Sequence, residues 1–266
     1  MLRFPDEEIH SDMNQPASPS LFQFVLYMAD NCLVLGHRLG EWCGHGPVLE
    51  QDIAMTNISL DLIGQARLYY QYAAELEGKG RTEDDLAYLR SEREYTNALL
   101  VELPNGDFAH TIARQFLFDA WHLPFLKTML SSPDPGLADI AGKAVKEVTY
   151  HLKWSREWVL RLGDGTEESQ LRMQVALDEA WMYRLELLMP APFEQWLIDA
   201  GVIAGPDEIR EEWERTITDT IREATLVLPE DPAVQTGGKT GIHTEHLGHM
   251  LADLQYMQRA YPGLEW

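Results

Sequence analysis

The chain of 266 residues carries 45% hydrophobic side chains, enough to bury a sizeable core, against a net charge of −22 from 21 basic and 43 acidic residues. So acidic a surface repels nucleic acid and anionic membrane alike, which excludes both as principal partners and leaves basic protein surfaces as those it would attract. No stretch approaches the roughly 20 consecutive apolar residues of a membrane-spanning helix.

Residues 1–18 are acidic and lack the apolar run of a signal peptide, so they read as a mobile tail, and residues 19–266 read as a single helical domain without an internal linker. The first helix is expected from Pro19 to Trp42 and the second from Pro47 to Leu76, each opened by a first-turn proline. The run "GKGRTEDD" interrupts the pattern, and Thr82 starts a shorter helix toward Leu100. After the turn "LPNGD", a third long helix spans Phe108 to Leu130 with Pro124 as a kink, and "SSPDPG" ends it. The fourth runs from Leu137 to Leu162. Thr166 caps a further helix to Met189, closed by "PAP"; Pro206 opens another to Leu226, and the last begins near His243. No alternating strand pattern and no internal repeat is found. Four long helices with short turns inside each pair imply an all-α, antiparallel four-helix bundle wrapped by the shorter helices. The cysteines, Cys32 and Cys43, are too few for a disulfide framework and imply reduced thiols in a cytoplasmic protein.

Each long helix carries a polar residue in a stripe of apolar ones. Asp30 lies with Leu26, Leu33 and His37; Gln65 with Ile58, Leu62, Tyr69, Tyr72 and Leu76; Asp119 with Ile112, Phe116, Leu123 and Leu126; His151 with Ala144, Val148, Ser155, Trp158 and Leu162. Counted from the turns near His45 and Pro133, at roughly 1.5 Å per residue, the members of each pair meet within about two turns of helix. Their matching depth predicts one cluster at mid-bundle, with Gln65 and His151 donating hydrogen bonds to Asp30 and Asp119. The competing reading places each residue at the edge of its stripe, in contact with water.

Carboxylates and histidine in a bundle core suggest a di-iron site. Such a site takes a Glu from each of two helices and a Glu-x-x-His motif from each of the other two. Here the motif positions read Leu62–Gln65 and Val148–His151, so both motif carboxylates are aliphatic and one histidine is an amide. Two carboxylates against two ferrous ions would leave about two positive charges buried, at a cost of many kcal/mol. A lone metal on Asp30, Asp119 and His151 would also depart from the iron triad of two histidines and one carboxylate. The six positions Asp30, Leu62, Gln65, Asp119, Val148 and His151 are therefore expected to form a vestigial site without metal, whose polar groups fix helix register.

The stretches "DNCLVLGHRLGEWCGHGPVLEQDIAMTNISLDLIGQAR", "ELPNGDFAHTIARQFLFDAWH", "KAVKEVTYHLKWSREWVLRLGDGT" and "TGGKTGIHTEHLGHMLADLQYMQR" closely resemble the structural (C) subunits of bacterial phenylacetyl-CoA epoxidases, from Pro19 to the end of the chain. The resemblance implies a ferritin-like fold. It implies no catalytic residue and no cofactor in this chain. It also implies a homologous catalytic partner that keeps the di-iron site and epoxidises the aromatic ring of phenylacetyl-CoA, with smaller and reductase components beside it. The alternative is that the chain is itself a metal-dependent ferritin-like oxidase.

Two further motifs lie near the C-terminus. "GGKT" (Gly237, Gly238, Lys239, Thr240) lacks the earlier glycine of a phosphate-binding loop, where the chain has Ala233, and no strand precedes it. In "HTEHLGH", His243 and His246 share a face while His249 leaves it, which is no zinc spacing. Because this loop belongs to the family resemblance, Gly237, Gly238, Lys239, His243 and His246 are expected at a contact with the partner.

Overall fold

A computed structural model of the chain describes residues 19–230 and 233–264; the expected tail, residues 1–18, lies outside the described residues. Among those described, secondary structure is helical, with no strand. The four long helices are α1 (Pro19–Gly40), α2 (Leu49–Glu77), α5 (Phe108–Met129) and α6 (Pro135–Gly163). Around them lie α3 (Glu83–Tyr88), α4 (Leu99–Glu102), α7 (Glu167–Trp181), α8 (Pro192–Asp199), α9 (Pro206–Glu223) and α10 (Glu245–Ala260).

Cross-helix contacts fix the topology. Ser59 donates to the Gly36 carbonyl and Tyr70 reaches Asp30, so α1 and α2 run antiparallel. Phe24 packs on Phe125 and Tyr27 on Trp121, while Trp42, just past α1, bonds Thr111 near the start of α5, so α1 and α5 are antiparallel too. Gln51 of α2 meets Trp158 of α6, and Tyr72 meets Asp134 at its start. On the fourth side Asp119 meets Ser155, and Phe108 packs against Trp158. Every neighbouring pair is therefore antiparallel and each diagonal parallel. Only a long crossover, residues 78–107, can connect α2 to α5 in that arrangement, which is the ferritin-like connectivity. The buried apolar side chains of all these helices join in one core.

The local signals explain most boundaries. Asp107 and Asp134 cap α5 and α6 through the amides of His110 and Leu137, and Thr166 caps α7 with Ser169 answering in a capping box. Gly78 ends α2 in the left-handed conformation at φ 63°. Helix α5 continues through Pro124. Four expectations need correction. Pro47 precedes the N-cap Val48 and is not in the first turn of α2. The helix expected from Thr82 to Leu100 stops at Tyr88 and only re-forms at Leu99, because the amides of Thr96 and Ala98 are turned to side chains of α1, Asp30 (2.9 Å) and Asn31 (2.9 Å). The helix expected to reach Met189 ends at Trp181 and gives way to a 3-10 turn, Arg184–Leu188, that carries Glu186 inward. "PAP" is not only a terminator: Pro192 is the first-turn proline of α8, and Glu194 accepts from the Ala191 amide at its start.

Candidate functional site

Asp30, Gln65, Asp119 and His151 are all buried, as are Leu62 and Val148. The structure does not join the four polar groups into one network. Gln65 and His151 occupy the seam between α2 and α6, where they form two rungs: Gln65 Nε2 donates to Glu147 at 2.8 Å, and His151 Nε2 meets Asp61 at 3.0 Å. Glu147 and Asp61 are half-exposed. Asp61 and Gln65 are one turn apart on α2, as are Glu147 and His151 on α6. Paired polar residues at that spacing on two antiparallel helices were the signal for this ladder. The Gln65 Oε1 faces Cys32, whose Sγ lies 3.8 Å away, so Cys32 and not Asp30 is the α1 residue at this level. Burial, with Glu147 nearby, pushes the Cys32 thiol pKa up, which leaves it an unreactive thiol.

Asp119 is held from two sides, by Gln115 Nε2 at 2.7 Å and Ser155 Oγ at 2.8 Å. Burial raises its pKa to about 7, against the opposing pull of His151 and of these hydrogen bonds. Beside it His122 stacks on Trp121 and meets Phe118 at a tilt, and burial, then the neighbouring His151, lowers its pKa to about 3. Among the described residues, both ring nitrogens of His122 and Nδ1 of His151 lack a partner.

Asp30 faces the opposite way, out of the bundle and into the crossover. It accepts from Tyr70 Oη (2.6 Å), the Thr96 amide and Arg90, which reaches it through both Nη atoms. The guanidinium is buried and lies over the Tyr95 ring at 4.3 Å. This is a buried ion pair with further hydrogen bonds on each member, the arrangement that lets charge tolerate burial.

The donor set does not fit a di-iron centre. Two of the positions where carboxylates would be needed are Leu62 and Val148, Asp30 is committed to Arg90, and Gln65 is a neutral amide turned to Glu147. Among the described residues no three His, Cys, Asp or Glu side chains converge where they could share a metal ion.

The second polar region is the clasp where the crossover, the 3-10 turn at Glu186 and the "GGKT" loop meet. Glu186 is buried and accepts from three backbone amides, Leu99 (2.7 Å), Gly237 (2.8 Å) and Gly238 (2.9 Å). Burial raises its pKa even so. Gly238 packs so close to the crossover that a Cβ would lie 2.1 Å from the Asn97 carbonyl, and Gly241, at φ 75°, would press on Arg93. Lys239 crosses the Tyr27 ring to bond both oxygens of Glu194, at 2.8 and 3.0 Å. His243 places Nδ1 2.8 Å from Glu102 and Nε2 2.9 Å from the Tyr95 carbonyl. Both ring nitrogens face oxygens, which favours the doubly protonated ring. Burial opposes that charge, but Glu102 and the Tyr95 carbonyl raise the His243 pKa overall.

The loop expected at a partner contact is thus spent largely inside the chain. Gly238 and the side chains of Lys239 and His243 are buried; Gly237 and His246 are half-buried, and Thr240 and Ile242 keep exposed surface for a partner. The sequence reading missed Asn31, Arg90, Glu102, Glu186 and Glu194, the buried polar residues that hold this region together. Asn31, adjoining Asp30 in a helix buried on nearly every side, was the one local sign that α1 faces a polar neighbour.

The chain matches the family model described as "Phenylacetic acid catabolic protein" over residues 6–266. It is 51% identical over 246 residues, 92% of this chain and 99% of the relative, to the C subunit of the 1,2-phenylacetyl-CoA epoxidase of Escherichia coli (strain K12).

Proposed function

We propose a function from one premise: the chain belongs to the phenylacetic acid catabolic protein family. It is a subunit of a multicomponent phenylacetyl-CoA epoxidase, with a non-catalytic structural role. It binds and stabilises a homologous subunit that holds the di-iron centre and performs the ring epoxidation, supplied with electrons by a reductase component. The observation that carries the structural role is the chemistry of the donor positions. Leu62 and Val148 offer no ligand atoms, and the Asp30 carboxylate is already neutralised by Arg90. Partner binding is supported by one face of α2, where Leu49 (71% exposed), Ile53 (52%) and Leu60 (61%) form an apolar stripe on an otherwise acidic molecule.

The test is co-expression of this chain with a homologous subunit that keeps its di-iron ligands. The two should co-purify as one species, and the complex, given a reductase and O2, should epoxidise phenylacetyl-CoA. Replacing Asp119 by Asn in this chain should leave turnover of the assembled complex unchanged. Loss of turnover in a normally assembled Asp119→Asn complex would show that the bundle centre takes part in the chemistry.

A further inference from the structure

A cleft of about 420 Å³ opens between α5, α7 and the loop 103–106, with the start of α10 at its side. It lies apart from the bundle centre and adjoins the clasp at His246. Its walls are largely apolar, from Leu103, Pro104, Ala176, Ala180 and Met182. Such a volume with few polar groups is typical of a small-molecule site.

What distinguishes it is an unbalanced cation. Arg114 lines the cleft and is only 1% exposed, yet its hydrogen bonds go to neutral oxygens, the Leu103 carbonyl at 2.6 Å and Asn105 Oδ1 at 2.7 Å. Among the described residues its Nε has no partner. Glu41, the acid that acts on it, is spent on Arg38 (3.0 Å) and Asn105 (2.8 Å), and Arg38 adds a second positive charge nearby. Burial, then Arg38, lowers the Arg114 pKa to about 9. Three other buried cations, Arg38, Arg90 and Lys239, each face a carboxylate. A guanidinium held out of water without a counter-charge is unfavourable, and a bound anion would relieve that. The mouth also carries an acid, Glu179. Glu179 is drawn to His110, whose other ring nitrogen meets Asp107, so the rim acid is engaged at 3.2 Å. The half-buried His246 turns only its backbone carbonyl to Arg38, which leaves its ring available to the cleft.

We propose that this cleft binds a small organic carboxylate, with its apolar body on the Leu103, Ala180 and Met182 walls and its acid group toward Arg114 and His246. The site goes beyond the proposed structural role and stands or falls independently of it, since the titration below uses the isolated full chain without a partner.

The probe is phenylacetate, an aryl acid of suitable size, titrated calorimetrically beside its neutral isostere phenylacetamide. The acid should bind saturably and the amide at least about tenfold more weakly, because a charge-assisted contact is lost. Met182→Trp fills the cleft from a half-exposed wall position and should abolish binding. His246→Phe should weaken the acid several-fold while leaving the amide unchanged. Arg114→Gln should remove the preference for acid over amide, and the Met182 and His246 variants keep the question decidable if Arg114→Gln fails to fold. Absence of saturable heat with phenylacetate, equal affinity for acid and amide, or wild-type binding by Met182→Trp would each overturn the assignment.

Discussion

The bundle centre and the clasp are both buried and both polar, yet they treat charge in opposite ways. In the clasp every buried acid named above has a built partner: Asp30 has Arg90, Glu194 has Lys239, Glu102 has His243, and Glu186 has three backbone amides. At the centre, Asp119 has only neutral donors, and its pKa rises to about 7 under burial. His122 stays neutral there without a partner. A buried charge must be paired or given up, and the two regions show one solution each. The difference places the stabilising ion pairs in the wrap that ties crossover, loop and C-terminal helix to α1, and leaves the centre weakly polar.

Substitutions can test that contrast, beginning with the largest effect. Arg90→Met strands Asp30 without its counter-ion and should lower unfolding free energy by about 3–5 kcal/mol in urea titrations. Adding Asp30→Asn to it should recover part of the loss, since the stranded charge is then gone. Gly238→Ala forces a methyl against the Asn97 carbonyl and should cost about 1–3 kcal/mol by the same measurement. The third effect is a pH dependence. The folded pKa of His243 is raised, so its contribution is fully present below the unfolded value near 6.5 and is lost as pH rises through the folded value. Hydrogen exchange in α10 should therefore lose protection between mildly acidic and alkaline pH, normalised for intrinsic exchange, and His243→Gln should flatten that trend. The smallest effect belongs to the centre. Asp119 binds a proton more tightly folded than unfolded, so its presence lowers stability as pH rises from about 4 to about 7. Asp119→Asn removes that loss, and above pH 7 it should cost less than about 1 kcal/mol or stabilise the fold. A loss as large as that of Arg90→Met would erase the contrast.

How much of this was legible depended on sequence separation. The long helices declared themselves through periodicity and caps, and the aliphatic replacements at Leu62 and Val148 were visible directly. The orientation of Asp30 was not. Helix α1 is buried on nearly every side, so an apolar stripe could be drawn through Asp30 as readily as through Cys32, which is the residue that faces Gln65. The clasp was hidden for a different reason. Its pairs join residues remote in sequence, as Asp30 to Arg90 and Glu186 to Gly237, and no local pattern anticipates such contacts. Helix α8 was lost because a proline after a short break can end one helix or begin the next, and here Pro192 begins one.

We propose that this bundle lacks the donors to retain iron and serves a neighbour's chemistry. The most direct test is iron quantification on the isolated, full-length chain after expression in iron-rich medium and exhaustive desalting. The account predicts iron far below one equivalent per chain. About two equivalents, the content of an intact carboxylate-bridged site, would contradict it.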